Sequence, residues 1–311
     1  MNFDRMENRA TSEWANQLLR PDKKQRRLEL QGRLMTLISA WVIILTLFSL
    51  LYFIASKGIS TFLFDGVSLS QFFSGKWAPA GTPPSFGTLP FILGSFMVTV
   101  LAAVISAPLG IGAAIYMTEI APSWGKKILQ PVIELLVGIP SVVYGFVGLT
   151  VIVPFLRDVT GGPGFSLLAG VLVLSVMILP TITSIAVDTL QSIPRSMREA
   201  SYALGATRWQ TISRVLVRTS LPGLMTGVVL GMARAFGEAL AVQMVIGNTD
   251  TMPTNLIQPI STLTSVITLH MGDTVPGTVY NDVLWSMALI LLLMTLVFIV
   301  LIRWMTRRGE S

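Results

Sequence analysis

One arginine and one glutamate, Arg234 and Glu238, stand inside an apolar stretch that reads "GMARAFGEALAVQMVIGN" at 231–248. A guanidinium group carries five N–H donors that can bind an oxyanion, and a carboxylate four residues further on lies on the same face of a helix. An unpaired arginine at the centre of a bilayer costs about 2.5 to 3.5 kcal/mol on insertion scales. We therefore expect Arg234 to face the protein interior or a water-filled path.

Two interpretations of this pair are open. In the first, Arg234 and Glu238 neutralise one another on one helix face and only fix the packing of that helix. In the second, Arg234 donates hydrogen bonds to an oxyanion in transit, while Glu238 orients the guanidinium and prevents the anion from binding too tightly. Small residues around the pair allow close helix approach in either case; they are Gly231, Ala233, Ala235, Gly237 and Ala239.

The composition places these residues in a membrane protein. Of the 311 residues, 52% are hydrophobic and 12% charged, and the mean hydropathy is +0.69. A helix needs about 20 mostly apolar residues to cross a bilayer, so the sequence predicts an all-α integral membrane protein with six transmembrane helices. The six stretches are 34–55, 89–116, 128–156, 166–187, 221–246 and 283–302, and Pro108, Pro140, Pro154 and Pro180 are expected to kink or interrupt them.

The distribution of basic residues predicts the orientation, because short loops rich in lysine and arginine stay in the cytoplasm. Most of the 22 lysines and arginines fall in 1–33, in the loops after the second and fourth spans, and in the tail. Both termini are therefore expected in the cytoplasm, and no nucleic-acid partner is needed to explain the charge. The predicted segments are a basic cytoplasmic leader (1–33), an anchor helix (34–56), an extracytoplasmic loop (57–88), a core (89–305) and a cytoplasmic tail (306–311).

Several kinds of chemistry are missing from the sequence. The chain has no cysteine and one histidine, which argues against disulfides, a transition-metal site and a cysteine nucleophile. It also has no "GxxxxGK[ST]" motif for binding nucleotide phosphates. We therefore expect no cofactor, no metal and no enzymatic activity in this chain.

The longest predicted inner loop, with its structured part at 192–220, is more than a linker. A helix is expected from Pro194, with Ser192 as its N-cap, and Gly205 provides a sharp turn before a second helix at 206–217. Two short helices that meet at Gly205 would form a compact projection into the cytoplasm.

Within this loop, "EASYALG" at 199–205 resembles the EAA loop of bacterial ABC-importer permeases. Glu199, Ala200 and Gly205 match that pattern in identity and spacing, whereas Ser201 replaces its second alanine. The resemblance implies a coupling helix that docks on a cytoplasmic ATPase, with Glu199 as a contact and Gly205 as the turn.

A narrower resemblance extends over about 34–305. "ELLVGIPSVVYGF" at 134–146, the stretch at 233–248 and the following "GNTDTMPTN" are similar to the PstC-type subunit of phosphate-specific ABC transporters. The resemblance implies a type I (MetI-like) permease core and a role for Arg234 and Glu238 in phosphate passage.

Two further residues are weaker candidates for the pathway. Glu134 lies six residues into the predicted third span, where a position near the cytoplasmic interface competes with a place in the pathway. Tyr144 follows Pro140, and this pattern is more typical of a kinked, close-packed helix than of a substrate contact.

The implied assembly is an ATP-driven phosphate importer in the bacterial plasma (inner) membrane. It would contain a second permease (PstA-type), two ATPase subunits (PstB-type) that hydrolyse the ATP, and an extracytoplasmic phosphate-binding protein (PstS-type). Phosphate would pass inward by alternating access. Alternatives from the residues are a permease for another oxyanion such as molybdate or sulfate, an ion-coupled secondary transporter or channel, and a membrane scaffold.

Overall fold

A computed structural model describes residues 23–308 of the chain, and the side chains of 27–300, 303 and 304. Part of the predicted leader (1–22) and of the tail (309–311) lies outside the described residues. The chain divides into two compact units: the first ends at Ile54, and the second begins at Ala55. In the first unit, the described residues form a helix with exposed apolar side chains. The second contains the remaining elements.

Helices dominate both units, and the described strands form one antiparallel pair in which Trp77 is opposite Phe86. The elements are α1 (Lys23–Leu63), α2 (Leu69–Phe72), β1 (Trp77–Ala78), β2 (Ser85–Phe86), α3 (Leu89–Ile115), α4 (Ser123–Gly138), α5 (Ser141–Val147), α6 (Val153–Thr160), α7 (Leu167–Gln191), α8 (Arg195–Ala203), α9 (Arg208–Gln210), α10 (Val217–Phe236), α11 (Leu240–Ile246), α12 (Leu263–His270) and α13 (Val279–Arg308). Short π-helical segments (Tyr116–Ile120, Gly148–Ile152 and Thr211–Leu216) continue α3, join α5 to α6 and join α9 to α10.

The predicted number of membrane-spanning helices is confirmed for the described residues. Six helices are long and apolar enough to cross a bilayer. Their ranges are Arg27–Leu63, Leu89–Ile120, Ser141–Thr160, Leu167–Gln191, Arg208–Phe236 and Val279–Val300. The first helix is therefore longer than the predicted anchor, and it continues through the first seven residues of the predicted outer loop.

The third span begins later than predicted, because Pro140 separates α4 from α5. Proline has no N–H to donate and disfavours helical geometry in the residue before it, and Ile139 accordingly has an extended ψ of 129°. The predicted span 128–156 is wrong in its first part, since α4 is a separate amphipathic helix and the span begins at Ser141. The expected interruption at Pro140 is confirmed, whereas Pro108 and Pro180 lie inside continuous helices.

The fifth span also differs from its prediction of 221–246. Its helix starts at Arg208, within the loop predicted to be cytoplasmic, passes through Pro222 and ends at Phe236, with Gly237 as its C-cap. Residues 237–239 are not helical, and α11 begins at Leu240. The second short helix of the projection is therefore the start of this span.

The centre of the second unit is α7, which is the most deeply buried of the six spans. It packs against α3 and α10, and three glycines at four-residue spacing let α10 approach it closely. Added Cβ atoms would contact Thr189 at Gly223, Ile185 at Gly227 and Ile182 at Gly231. Since these partners run in the opposite direction along the chain, the two helices are antiparallel, as small-residue packing in membranes allows.

Replacing Gly231 by valine should destabilise the packing of α10 against α7. Its Cβ would lie 2.7 Å from Ile182 Cγ1, and such overpacking typically costs about 1 to 3 kcal/mol. We expect a lower melting temperature in detergent, measured by differential scanning fluorimetry. Gly112→Val is the matched control, because nothing lies within 4 Å of a Cβ there. An equal loss in both variants would contradict the assigned contact.

Candidate substrate pathway and coupling segment

Arg234 lies in the last turn of α10, where the negative end of the helix dipole favours a cation. Its side chain is half-buried, and its Nη1 donates a hydrogen bond to Thr181 Oγ1 at 2.9 Å. Thr181 stands near the middle of the 25-residue α7, so Arg234 is level with the centre of the central span. Within the described residues, this is the hydrogen bond that the Arg234 side chain makes. Most of its N–H donors therefore have no acceptor there.

Glu238 does not pair with Arg234. The helix ends between them, and the Oε1 atom of Glu238 accepts a hydrogen bond from the N–H of Ala241 at 3.0 Å, in the first turn of α11. The described part of the chain contains no ion pair between the two residues; the ion pair found there joins Arg198 to Glu119. The predicted self-neutralising pair on one helical face is therefore wrong, because an interrupted helix does not preserve the four-residue register.

A small polar cavity adjoins the interruption. It has a volume of about 10 Å³, enough for about one water molecule. Glu238 and four hydroxyl residues line it together with Val98, Ala235, Phe236 and Val242. Thr264 Oγ1 also donates to the Glu238 carbonyl at 2.8 Å, which ties the non-helical segment to α12. The four hydroxyl residues are Ser95, Thr99, Thr262 and Thr264.

Tyr144 lies beside the second helix interruption. Its hydroxyl donates to the carbonyl of Leu136 at 2.8 Å, across the break at Pro140. Its ring packs against two of the apolar clusters. The structure thus gives Tyr144 the packing role that the sequence favoured, and a contact with the substrate stays a prediction.

Glu134 stands apart from this group. It is exposed on α4, and its Oε1 accepts from Gln130 Nε2 at 3.2 Å, one turn earlier on the same helix. No contact joins it to Arg234 in the described residues. The position near the cytoplasmic interface that the sequence favoured stays a prediction.

The loop after α11 is held by side-chain hydrogen bonds to backbone carbonyls. Asn248 adopts a left-handed backbone with φ of 49° and donates from Nδ2 to the Gln243 carbonyl at 2.8 Å. Thr249 Oγ1 donates to the Pro259 carbonyl at 2.7 Å, and Ser261 Oγ donates to the Thr249 carbonyl at 3.0 Å. These bonds tie the start of the "GNTDTMPTN" segment to the end of α11 and to residues 259–261.

The coupling segment (residues 192–220) contains the predicted turn. Gly205 has a φ of +78°, and the N–H groups of Gly205 and Ala206 donate to the carbonyls of Tyr202 and Ser201. This is the pattern of a Schellman C-cap, which favours glycine at the left-handed position. The predicted N-cap Ser192 is wrong, since Ser192 ends α7 and Pro194 precedes α8.

The outward side of this segment is unusually apolar for a surface. Leu204 is 89% exposed and Trp209 68% exposed, and Tyr202 is also exposed. Glu199, Ala200 and Gly205 are exposed beside them. Exposed apolar patches rimmed by polar residues mark protein interaction sites.

The inward side of the segment is held by a residue that the sequence did not single out. Glu119 Oε1 accepts from Arg198 Nη2 at 2.8 Å, and the two side chains are 10% and 19% exposed. Arg198 also donates to the carbonyls of Leu190 and Ile193, and Arg208 donates to the carbonyl of Glu119. Glu119 therefore connects the end of the second span to both arms of the coupling segment.

Replacing Glu119 by glutamine should make the helix α8 less stable. The substitution preserves the shape of the side chain but leaves the Arg198 guanidinium without its counter-ion, a loss of about 1.5 to 3 kcal/mol for a charged hydrogen bond. We expect faster hydrogen–deuterium exchange of the backbone amides at 195–205. Glu199→Gln, on an exposed position of the same helix, is the control. Unchanged exchange in the Glu119 variant would show that the ion pair does not hold the segment.

In the described residues, no group of three His, Cys, Asp or Glu side chains could hold a metal ion. Sequence reasoning missed Thr181 and Glu119, because their partners lie 53 and 79 residues away in the chain. Gly237 before Glu238 was the available signal for the helix interruption.

Residues 106–310 match the family model described as the binding-protein-dependent transport system inner membrane component. The chain is 58% identical over 284 residues to the probable ABC transporter permease protein YqgH of Bacillus subtilis, covering 91% of this chain and 92% of that protein. It is 34% identical over 275 residues to the phosphate transport system permease protein PstC of Mesorhizobium japonicum, covering 82% of each.

Among solved structures, the fold is similar to that of a chain in the crystal structure of a bacterial alginate ABC transporter bound to its periplasmic protein. The TM-score is 0.64 at 15% identity, covering 92% of this chain and 96% of that chain. This likeness concerns the fold, which agrees with the predicted all-α importer-permease architecture. Because the family model covers most of the core and the relatives cover nearly the whole chain, this protein belongs to the binding-protein-dependent inner membrane components, the permease subunits of ABC importers.

Proposed function

We propose that this permease subunit passes inorganic phosphate into a bacterial cell. The observation that carries the proposal is the Arg234 guanidinium, half-buried at mid-span and joined to an uncharged hydroxyl rather than to a carboxylate. A guanidinium left without a counter-ion at that depth is suited to an anion. Phosphate is supported by the relative from Mesorhizobium japonicum, which is a phosphate transport system permease protein.

The helix interruption at 237–239 supports a transport role for this region. Non-helical backbone at membrane depth is tolerated where it is buried in protein or lines a water-filled cavity. Here it adjoins a hydroxyl-lined cavity and begins three residues after Arg234. Glu238 holds α11 in place by accepting from its first turn, so its role is to shape the pathway, while Arg234 contacts the anion.

The proposed mechanism is alternating access driven by partner subunits. The assembly contains two PstB-type ATPases, and the coupling segment binds an ATPase at Glu199, Ala200 and Gly205. When the ATPases close on ATP, they move α8. Through Glu119, this movement also reaches the end of the second span. A PstA-type permease forms the other half of the pathway. A PstS-type binding protein delivers phosphate to the outer loops. Both termini lie in the cytoplasm of a multi-pass protein in the bacterial plasma membrane, in agreement with the lysine and arginine distribution.

Reconstitution tests this proposal. The permease pair, the ATPases and the binding protein are assembled in liposomes containing ATP, and uptake of radiolabelled phosphate is measured. We expect ATP-dependent uptake that excess unlabelled phosphate inhibits. No uptake by an assembled complex whose ATPase is stimulated by the binding protein would contradict the proposal.

Another oxyanion, such as molybdate or sulfate, is the second candidate. The observed Arg234–Thr181 contact suits any of these anions, because a guanidinium and a hydroxyl donate equally well to each. Inhibition of uptake by molybdate or sulfate at concentrations where phosphate has no effect would favour it. An ion-coupled secondary transporter has no support, since the chain belongs to the ABC importer permeases.

A further inference from the structure

We propose that Thr181 is a second contact for the transported anion and positions the Arg234 guanidinium to receive it. The inference rests on the proposed function and adds a residue to the pathway. It places on α7 a hydroxyl that binds the anion together with the arginine of α10. The site is therefore formed by two antiparallel helices of one subunit.

The hydrogen bonding of Thr181 distinguishes it from the other threonines of its helix. Thr183 and Thr189 each donate their hydroxyl hydrogen to a carbonyl one turn earlier in α7, at 2.8 Å. Thr181 instead accepts from Arg234 Nη1 at 2.9 Å, and no bond from its own hydroxyl hydrogen is found in the described chain. A hydroxyl has one hydrogen and two lone pairs. The Thr181 O–H therefore remains available to donate to a ligand.

The arrangement places two kinds of donor beside each other. An anion that accepts from the free N–H groups of Arg234 lies next to the Thr181 hydroxyl, because that hydroxyl is itself hydrogen-bonded to the guanidinium. The Thr181 contact also restricts the long arginine side chain to one orientation, which lowers the entropy lost on binding. Thr181 adds no positive charge, so the anion is bound without the strong electrostatic retention that a second arginine would cause.

The glutamate of the same segment does not compete for this site. The Glu238 carboxylate is directed to the N–H of Ala241. A carboxylate that paired with Arg234 would have neutralised the guanidinium and repelled an anion. The helix interruption after Phe236 thus leaves Arg234 and Thr181 as the polar pair on the α7–α10 contact.

Isosteric substitutions test the inference in the complete reconstituted importer. Thr181→Val keeps the shape and removes the hydroxyl, Thr181→Ser keeps the hydroxyl, and Thr226→Val is the matched control. Thr226 is exposed on α10 and donates to the Pro222 carbonyl of its own helix at 2.9 Å. The readouts are the initial rate of radiolabelled phosphate uptake and ATP hydrolysis stimulated by the binding protein.

We expect Thr181→Val to lower phosphate uptake about tenfold while stimulated ATP hydrolysis stays near that of the wild type, so that fewer phosphate ions enter per ATP. Thr181→Ser should stay within about twofold of the wild type, and Thr226→Val should have no effect. If Thr181→Val fails to assemble by size-exclusion chromatography, Thr181→Ala removes the hydroxyl without putting a methyl group in its place, and the same comparison decides.

Uptake at the wild-type rate in Thr181→Val, or an equal loss in Thr181→Val and Thr181→Ser, would overturn the inference, since the hydroxyl would then be dispensable. These outcomes leave the proposed function intact. Absence of phosphate uptake by the wild-type complex itself would overturn the proposed function instead, and with it this inference.

Discussion

Replacing Arg234 by glutamine should abolish phosphate uptake by the reconstituted importer. Glutamine retains a polar amide that can still contact Thr181, but it removes the positive charge and most of the N–H donors. Each hydrogen bond to a charged group contributes about 1.5 to 3 kcal/mol, so the loss of two lowers transport by more than about 100-fold. The measurement is the initial rate of radiolabelled phosphate uptake.

The assembled complex should survive this substitution. Removing a charge at mid-span relieves a desolvation penalty, so the yield of the complex on size-exclusion chromatography should not fall. Arg303→Gln is the matched control, because Arg303 is exposed on α13 and lies outside both the coupling segment and the contact between α7 and α10. Wild-type uptake in Arg234→Gln would show that Arg234 only packs the helix.

Replacing Leu204 by aspartate should separate the permease from its ATPase. Leu204 is 89% exposed at the turn of the coupling segment, and its burial in a partner groove would contribute about 1.5 to 3 kcal/mol. Aspartate removes that contribution and adds a charge that must be desolvated. We expect a reduction in affinity of at least about 100-fold, seen as loss of the ATPase subunits in affinity purification through the permease.

Leu69→Asp is the control for this second prediction. Leu69 is 61% exposed in α2, on the predicted outer loop, so the same substitution there should leave ATPase co-purification unchanged. Retention of the ATPases by Leu204→Asp would show that the apolar surface of the coupling segment is not their docking site. Loss of the ATPases in both variants would point to general unfolding instead.

The sequence predicted the elements that depend on local residue patterns. Six apolar stretches predicted six spans because insertion in a bilayer depends on the summed hydropathy of about 20 consecutive residues. The turn at Gly205 was predictable for a similar reason, since a left-handed backbone there favours glycine over other residues. In both cases the deciding interactions lie within a few residues of each other.

Helix interruptions were predicted less well. Hydropathy averaged over a window is insensitive to a break of three residues, so the sequence predicts one helix over 221–246. In the structure, α10 ends at Phe236 and α11 begins at Leu240. The consequence for the candidate site was large. Glu238 was assigned to the face of Arg234, and the structure instead shows it bonded to the first turn of α11.

From its sequence alone, this protein was identifiable as a six-helix permease with an arginine that must avoid lipid, because composition, charge distribution and local motifs determine those properties. Only the tertiary structure showed that Thr181 is the partner of Arg234 and that Glu119 joins Arg198 to the second span. Those contacts depend on the antiparallel packing of α10 on α7 and on the folding of the coupling segment beneath them. Thr181 and Arg234 are 53 positions apart in the sequence, and Glu119 and Arg198 are 79 positions apart. The tertiary packing brings each pair together, and no local sequence pattern encodes contacts over such separations.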